Sequence, residues 1–253
     1  MTKTIAVCNQ KGGCGKSTTA QALAAGLTQR GYRVLLVDLD AQGNTSFSLG
    51  ANRAGATSLG VLLGEVKAAE AIQKTPYCDI IPANKSLAAA EATITDVGKE
   101  YRLREAIEEL EDNYDYVVID TPPSLGILSI NALTACDTVV IPAQADIYSL
   151  QGIADLVETI KPVKKYCNQK LQIAGILFTR HNSRYAFTKE LSDYAEGIAA
   201  NLKTKVFKAT IREAVAVRSA QAAQKSIFEY DPKSKVANDY SEFIDELLEG
   251  GKQ

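Results

Sequence analysis

The chain has 253 residues, 46% hydrophobic and 23% charged, which suits one sizeable α/β core and excludes a disordered or fibrous protein. Its formal net charge of −2 hides an uneven distribution: residues 1–160 carry −7, residues 161–235 carry +9 and residues 236–253 carry −4, so either one face meets a polyanion or a mixed surface is simply solvated. No apolar run has membrane-spanning length, the start of the chain does not read as a secretory leader, and the five scattered cysteines (Cys8, Cys14, Cys78, Cys136, Cys167) form no C-x-x-C pair, which points to free thiols in a reducing cytoplasm rather than to disulfides or a metal site.

Thr4-Ile5-Ala6-Val7-Cys8 predicts a strand, and Ala20, Leu23, Ala24 and Leu27 have the spacing of a buried helix face. Between them lies Asn9-Gln10-Lys11-Gly12-Gly13-Cys14-Gly15-Lys16-Ser17-Thr18. A glycine-rich loop between strand and helix is the setting in which a phosphate cradle works. Gly12, Gly13 and Gly15 let the backbone curl and turn its N–H groups inward. The helix opening at Lys16 adds unpaired N–H groups and the positive end of its dipole. Lys16 supplies a point charge for the β- and γ-phosphates, and the Ser17 hydroxyl is a ligand for Mg²⁺. Gly12, Gly13, Cys14, Gly15, Lys16, Ser17 and Thr18 are therefore expected to hold a nucleotide. A positive, helix-capped loop would lower a thiol's pKa, but at Cys14 a plain small side chain is the preferred reading.

The loop departs from the commonest form, G-x-x-x-x-G-K-[ST], whose first glycine would fall on Gln10; instead a second lysine, Lys11, precedes a glycine pair. This K-G-G-x-G-K-S pattern resembles the deviant phosphate loop (deviant Walker A) of the ParA/MinD family of dimeric ATPases. The resemblance implies a Mg²⁺-dependent ATP hydrolase built as a single doubly wound P-loop domain over 1–253, with a mostly parallel sheet. It also implies that Lys11 reaches across a homodimer to the partner's nucleotide, where its charge opposes that developing on the transferred phosphoryl group. The alternative for Lys11 is an ordinary solvated loop lysine.

Further along, Arg33-Val34-Leu35-Leu36-Val37-Asp38 is continuous rather than alternating, as in a parallel strand covered on both faces. It runs into Asp38-Leu39-Asp40-Ala41-Gln42-Gly43-Asn44. Ligands of an open parallel sheet sit beyond the carboxyl ends of its strands, so two carboxylates are expected near the loop. The stretch is similar to the family's D-x-D-x-Q-G-N, often with proline where this chain has Ala41. That similarity implies a role for Asp40 in setting up the attacking water and the metal environment. One of Asp38 and Asp40 is open to a structural role; Asp40 is the preferred catalytic group, beside Lys11 and Lys16.

Residues 45–76 read as short helical pieces, Cys78–Pro82 as a strand, and Leu87 to Ile94 and Leu103, Ile107 and Leu110 as core-facing helical positions. The acidic Glu105, Glu108, Glu109, Glu111 and Asp112 read as a solvated face. Tyr116-Val117-Val118-Ile119-Asp120 predicts a strand whose terminal carboxylate holds Mg²⁺ opposite Ser17. The continuation Asp120-Thr121-Pro122-Pro123 resembles the family's switch loop, which implies sensing of the γ-phosphate.

Asp137–Pro142 predicts another buried strand. The segment after it, ending in Ser149-Leu150-Gln151-Gly152, resembles the family's P-x-x-x-x-x-x-S-L-x-G before a long helix, which implies a dimer face. Leu171–Phe178 is a further strand. Its exit, Thr179-Arg180-His181-Asn182-Ser183-Arg184, is a candidate lid over adenine with Asn182 as the contact. His181, the only histidine, reads as a loop residue. The basic region then includes Arg180, Arg184, Lys189, Lys203, Lys205, Lys208, Arg212, Arg218 and Lys225. In segregating members of the family such residues bind DNA through its phosphates, which makes Arg184, Arg212, Arg218 and Lys225 the candidates here. Where many chromosomal relatives have arginine, this chain has Ala216, and no recognition-helix or zinc-finger pattern supports sequence-specific readout. Val236, Tyr240, Phe243, Ile244, Leu247 and Leu248 predict a closing amphipathic helix. MinD-like relatives bind anionic membranes through a basic helix; here Asp239, Glu242, Asp245, Glu246 and Glu249 would be repelled, so the helix is expected to pack on the domain.

The implied function is an ATP-dependent dimer that binds DNA non-specifically on the nucleoid and partitions plasmid or chromosomal DNA with a ParB-like partner. A MinD-like positioning ATPase acting on a protein cargo or a membrane surface is the alternative. A metabolic P-loop enzyme such as an amidoligase is a third reading, disfavoured by Lys11 and by the lack of an obvious added substrate domain.

Overall fold

In a computed structural model, which describes residues 2–110, 112–181 and 189–250, the chain begins β1 (Lys3–Val7), α1 (Lys16–Gln29), β2 (Val34–Asp38), α2 (Asn44–Ser48), α3 (Ser58–Leu63) and α4 (Ala68–Ala71). It continues β3 (Gln73–Lys74), β4 (Asp79–Ile81), α5 (Ala90–Thr93), α6 (Arg102–Glu108), β5 (Tyr116–Asp120) and α7 (Ile127–Ala135). The rest is β6 (Thr138–Gln144), α8 (Ile147–Tyr166), β7 (Gln172–Thr179), α9 (Lys189–Asn201), α10 (Val215–Ala222), α11 (Ile227–Tyr230) and α12 (Lys235–Gly250). One seven-stranded sheet has the order β3-β4-β2-β5-β1-β6-β7. Every neighbouring pair is parallel except β3 with β4. The six strands predicted from apolar runs all form. The added one, β3, is a two-residue polar edge with no apolar signal of its own.

The doubly wound arrangement follows from the strands' unbroken hydrophobicity. Leu35, Val37, Val117 and Ile119 face one side, with Leu103, Leu133, Ile153 and Leu156 from the helices there. Val34, Leu36 and Val118 face the other, with Leu23 and Leu27 of α1 and Phe243 and Ile244 of α12. Each fully buried leucine or isoleucine contributes about 2 kcal/mol relative to exposure.

The acidic closing helix is packed, as its pattern predicts. Its approach to α1 is close: a Cβ at Gly26 would lie 2.3 Å from Ile244 Cδ1. Glu246 accepts from Lys208 N at 2.8 Å, Ala209 N at 3.1 Å and Lys205 Nζ at 2.8 Å. Arg30 pairs with Asp245 at 2.6 Å. Among the described residues no helix is long and apolar enough to cross a membrane.

A comparable squeeze occurs where the β6–β7 register shifts at Val139/Val140, opposite Gly175. A Cβ there would meet Phe207 Cε2 at 2.6 Å and Lys205 O at 3.0 Å. Phe207 is buried and cannot swing away. Gly175→Ala is expected to destabilise the fold by about 2 kcal/mol, as overpacking does, and urea denaturation checks it through a lower midpoint at unchanged slope.

Candidate nucleotide-binding site

β1 lies between β5 and β6, and the loop leaving its carboxyl end runs straight into α1. Gly13 and Gly15 adopt φ of 75° and 89°, values that a side chain would strain. Gly15 opens α1 with no side-chain cap, so the first amides of the helix remain available to an anion. Two of the loop's carbonyls are tied to the ends of β6 and β7. Gln144 Nε2 donates to Gly13 O at 3.0 Å, and Thr179 Oγ1 donates to Cys14 O at 2.7 Å. Lys16 is only 6% exposed, and its ammonium donates to Lys11 O at 3.0 Å.

Lys11, the lysine expected to act across a dimer, is held within its own chain. Its Nζ donates to both carboxylate oxygens of Asp146, at 2.9 and 2.8 Å. Asp146 in turn caps α8, accepting from Ser149 N and Ser149 Oγ, each at 2.9 Å. Partial burial works against ionising Asp146, yet Lys11 and Ser149 outweigh it and hold the carboxyl below its usual range. Cys14 is buried and burial pushes its thiol up, so the loop holds an inert small side chain rather than an activated thiolate. Thr18 lies in the first turn of α1, where its Oγ1 accepts from Gln221 Nε2 at 3.1 Å.

The strand ends bring the carboxylates together. Asp38 and Asp120 are register partners across β2 and β5, and both are fully buried. Thr45 Oγ1 donates to Asp120 Oδ2 at 2.6 Å, while Asp120 Oδ1 has no hydrogen-bond partner. Burial first, then the neighbouring Asp38, pushes the Asp120 carboxyl up to about 8, against the Thr45 and Ser17 hydroxyls. Asp38 is raised to about 6, chiefly by burial, although it accepts from Asp40 N at 3.0 Å, Ser46 N at 2.9 Å and Ser46 Oγ at 2.7 Å. A dry pair of carboxylates with an orphaned oxygen beside the Ser17 hydroxyl suits a hard, oxygen-seeking cation such as Mg²⁺. Asp38 is thus woven into the turn that follows it. Asp40 is half-buried beside the pair, with Oδ1 accepting from Gln42 N at 2.9 Å.

Beside the loop lies a cavity of about 230 Å³, walled by Gly13, Gly15 and Thr18, by Thr179 and Arg180 at the end of β7, and by residues 211–221 and Tyr240. It is contiguous with the phosphate cradle and is where a base attached to those phosphates has room. Asn182 and Arg184 lie outside the described residues. His181 is a main-chain link, donating its N–H to Ile211 O at 2.8 Å.

The cationic candidates differ in their surroundings. Arg212 grips Asp239 of α12 with Nε at 2.7 Å and Nη2 at 2.6 Å. The Asp239 side chain is only 5% exposed while that of Arg212 is 44% exposed, so Arg212 offers a polyanion a charge already partly neutralised by a buried carboxylate. Arg218, by contrast, is 65% exposed and 3.9 Å from Glu213. Lys225 pairs with Glu229 along α10–α11 at 2.8 Å. Gln144 and Asp146 carry no mark in the sequence, and Thr179 is marked there only as the start of the candidate lid. All lie at or just beyond the carboxyl ends of β6 and β7, the positions where an open parallel sheet presents its ligands.

A family model described as AAA domain matches residues 2–173. The sporulation initiation inhibitor protein Soj of Bacillus subtilis is 40% identical over 256 residues, covering 99% of this chain and 100% of Soj. The chromosome partitioning protein ParA of Caulobacter vibrioides is 37% identical over 253 residues, covering 97% of this chain and 94% of that protein. Among solved structures, cobyrinic acid a,c-diamide synthase from Mycobacterium smegmatis with bound ADP and magnesium superimposes with a TM-score of 0.85 at 37% identity, covering 100% of this chain and 96% of that one.

Proposed function

Because the chain belongs to the ParA/Soj family of P-loop ATPases, we propose that it hydrolyses ATP as a homodimer that binds DNA non-specifically and partitions plasmid or chromosomal DNA on the nucleoid with a ParB-like partner. The observation that carries this reading is the second lysine: Lys11 stands at the mouth of the phosphate loop, its ammonium tethered by a carboxylate that is about a third exposed. In this reading the loop amides and Lys16 bind the phosphates. Ser17, Asp120 and Asp40 would hold Mg²⁺, directly or through water, and the ion would supply positive charge against the phosphates. Asp40 orients the attacking water. Lys11 exchanges Asp146 for the partner subunit's triphosphate. A γ-phosphate that both lysines contact binds the dimer better than the monomer, and that difference is all that is available to shift the equilibrium. Doubling the cationic face then steepens DNA affinity, with Arg218 and Lys225 the accessible contributors among the described candidates and Arg184 a further one.

The test is co-sedimentation with DNA in the presence of ATP, of ADP and of no nucleotide, across a salt series. The expected result is retention with ATP alone, decaying linearly in log–log form as salt rises. Equal retention without nucleotide, or none in any state, rejects the reading. An amide-forming ligase acting on a carboxylic acid such as cobyrinic acid is the second reading, favoured by the likeness to the Mycobacterium smegmatis synthase; it predicts phosphate release stimulated by that acid and indifferent to DNA.

A further inference from the structure

We propose that Gln144 and Thr179 are positioning residues of the phosphate loop, two side chains at the sheet edge that set the direction of the amides meant for phosphate. The inference rests on the nucleotide reading of that loop and assigns work to residues outside the motif.

Gln144 and Thr179 end adjacent parallel strands and are register partners of β6 and β7. They reach two successive peptides of the loop. Gln144 Nε2 holds Gly13 O at 3.0 Å. Thr179 Oγ1, on a side chain that is 2% exposed, holds Cys14 O at 2.7 Å and lies 3.3 Å from Ala143 O. In a trans peptide the C=O and the following N–H point in opposite directions. Tying Gly13 O to the sheet therefore turns the Cys14 N–H away from it, and tying Cys14 O does the same for the Gly15 N–H. These are amides of the cradle itself.

The loop cannot do this unaided. Glycine imposes no preference on its own peptide planes, and a Cβ at Gly13 would find nothing within 4 Å to pack against. At Gly15 the nearest neighbour is Thr179 itself, whose Cβ, Cγ2 and Oγ1 lie 3.6–3.7 Å from where a Cβ would sit. Orientation is thus supplied from outside, by partners more than a hundred residues away. Amides aimed beforehand bind an anion without the cost of ordering the loop, and the gain appears as affinity.

Thr179→Val keeps the shape and deletes the hydroxyl, Thr179→Ser keeps the hydroxyl, and Gln144→Leu removes the second tie at a half-exposed position. Binding of ADP and of a non-hydrolysable ATP analogue is measured by equilibrium fluorescence, with nucleotide-free melting temperature as the companion readout. Thr179→Val is expected to weaken both nucleotides about tenfold, the loss of one hydrogen bond of about 1.4 kcal/mol, with Thr179→Ser within about threefold of wild type and Gln144→Leu weakened several-fold. A merely structural hydroxyl would lower the melting temperature and leave affinity of the folded fraction intact. Wild-type affinity in Thr179→Val, or equal weakness in Thr179→Val and Thr179→Ser, overturns the proposal. If Thr179→Val does not fold, Gln144→Leu decides by the same affinity criterion. Failure of the wild-type chain to bind ADP, or no loss in Lys16→Ala, sinks the nucleotide reading instead.

Discussion

Lys11→Ala should bind ATP within a few-fold of wild type and turn it over at least about a hundredfold more slowly, the scale on which a trans-acting cation contributes to phosphoryl transfer. Affinity survives because Lys16, the loop amides and the two strand-end carboxylates are untouched. Turnover falls because the charge expected to oppose that developing on the partner subunit's transferred phosphoryl group is gone. The fold should tolerate the change: the Lys11–Asp146 pair is about a third exposed and worth about 1 kcal/mol at most. Asp146 also keeps its two hydrogen bonds from Ser149, so α8 stays capped. Fluorescent-nucleotide binding and phosphate release separate the two quantities. Stimulated turnover within threefold of wild type would remove Lys11 from the chemistry and leave it a strut between the phosphate loop and α8.

The second large effect is a pH dependence centred on Asp120. Burial raises its carboxyl to about 8 and that of Asp38 to about 6, against an ordinary aspartate value near 3.9 in the unfolded chain. Between those limits the folded, metal-free chain binds more protons than the unfolded one. Its stability therefore falls as pH climbs through that window and is greatest at the acidic end. The metal- and nucleotide-free protein should melt several degrees lower at pH 8 than at pH 6. Asp120→Asn, which keeps the shape and cannot ionise, should melt higher than wild type at pH 8 and show a much flatter profile. The same variant should lose the stabilisation that Mg²⁺ and ATP together confer on wild type. A pH slope in Asp120→Asn as steep as that of wild type would mean that the electrostatic strain lies elsewhere.

Local signals made much of this legible. The phosphate loop, the apolar strands and the aspartates that end two of them are contiguous in sequence, and each combines a composition with a fixed offset. Register then brings Asp38 and Asp120 side by side. What stayed hidden is contributed from afar by residues that look ordinary where they stand. Gln144, Asp146 and Thr179 are polar residues leaving strands, as loops commonly require, and only the sheet order makes them neighbours of residues 11–14. Arg212 shows the converse. Counted with other basic residues it reads as an open cation, whereas a carboxylate 27 positions later claims it. Strand β3 was missed because two polar residues at an edge carry no periodicity.

The cavity beside the loop has walls from both extremities of the chain: Gly13 and Gly15 near its beginning, Tyr240 near its end, with Asp239 bracing the wall formed by Arg212. The helix α12 thus completes a wall whose opposite side comes from the first strand–helix crossing, and truncation before α12 is expected to remove Tyr240 and the Asp239 brace from that wall.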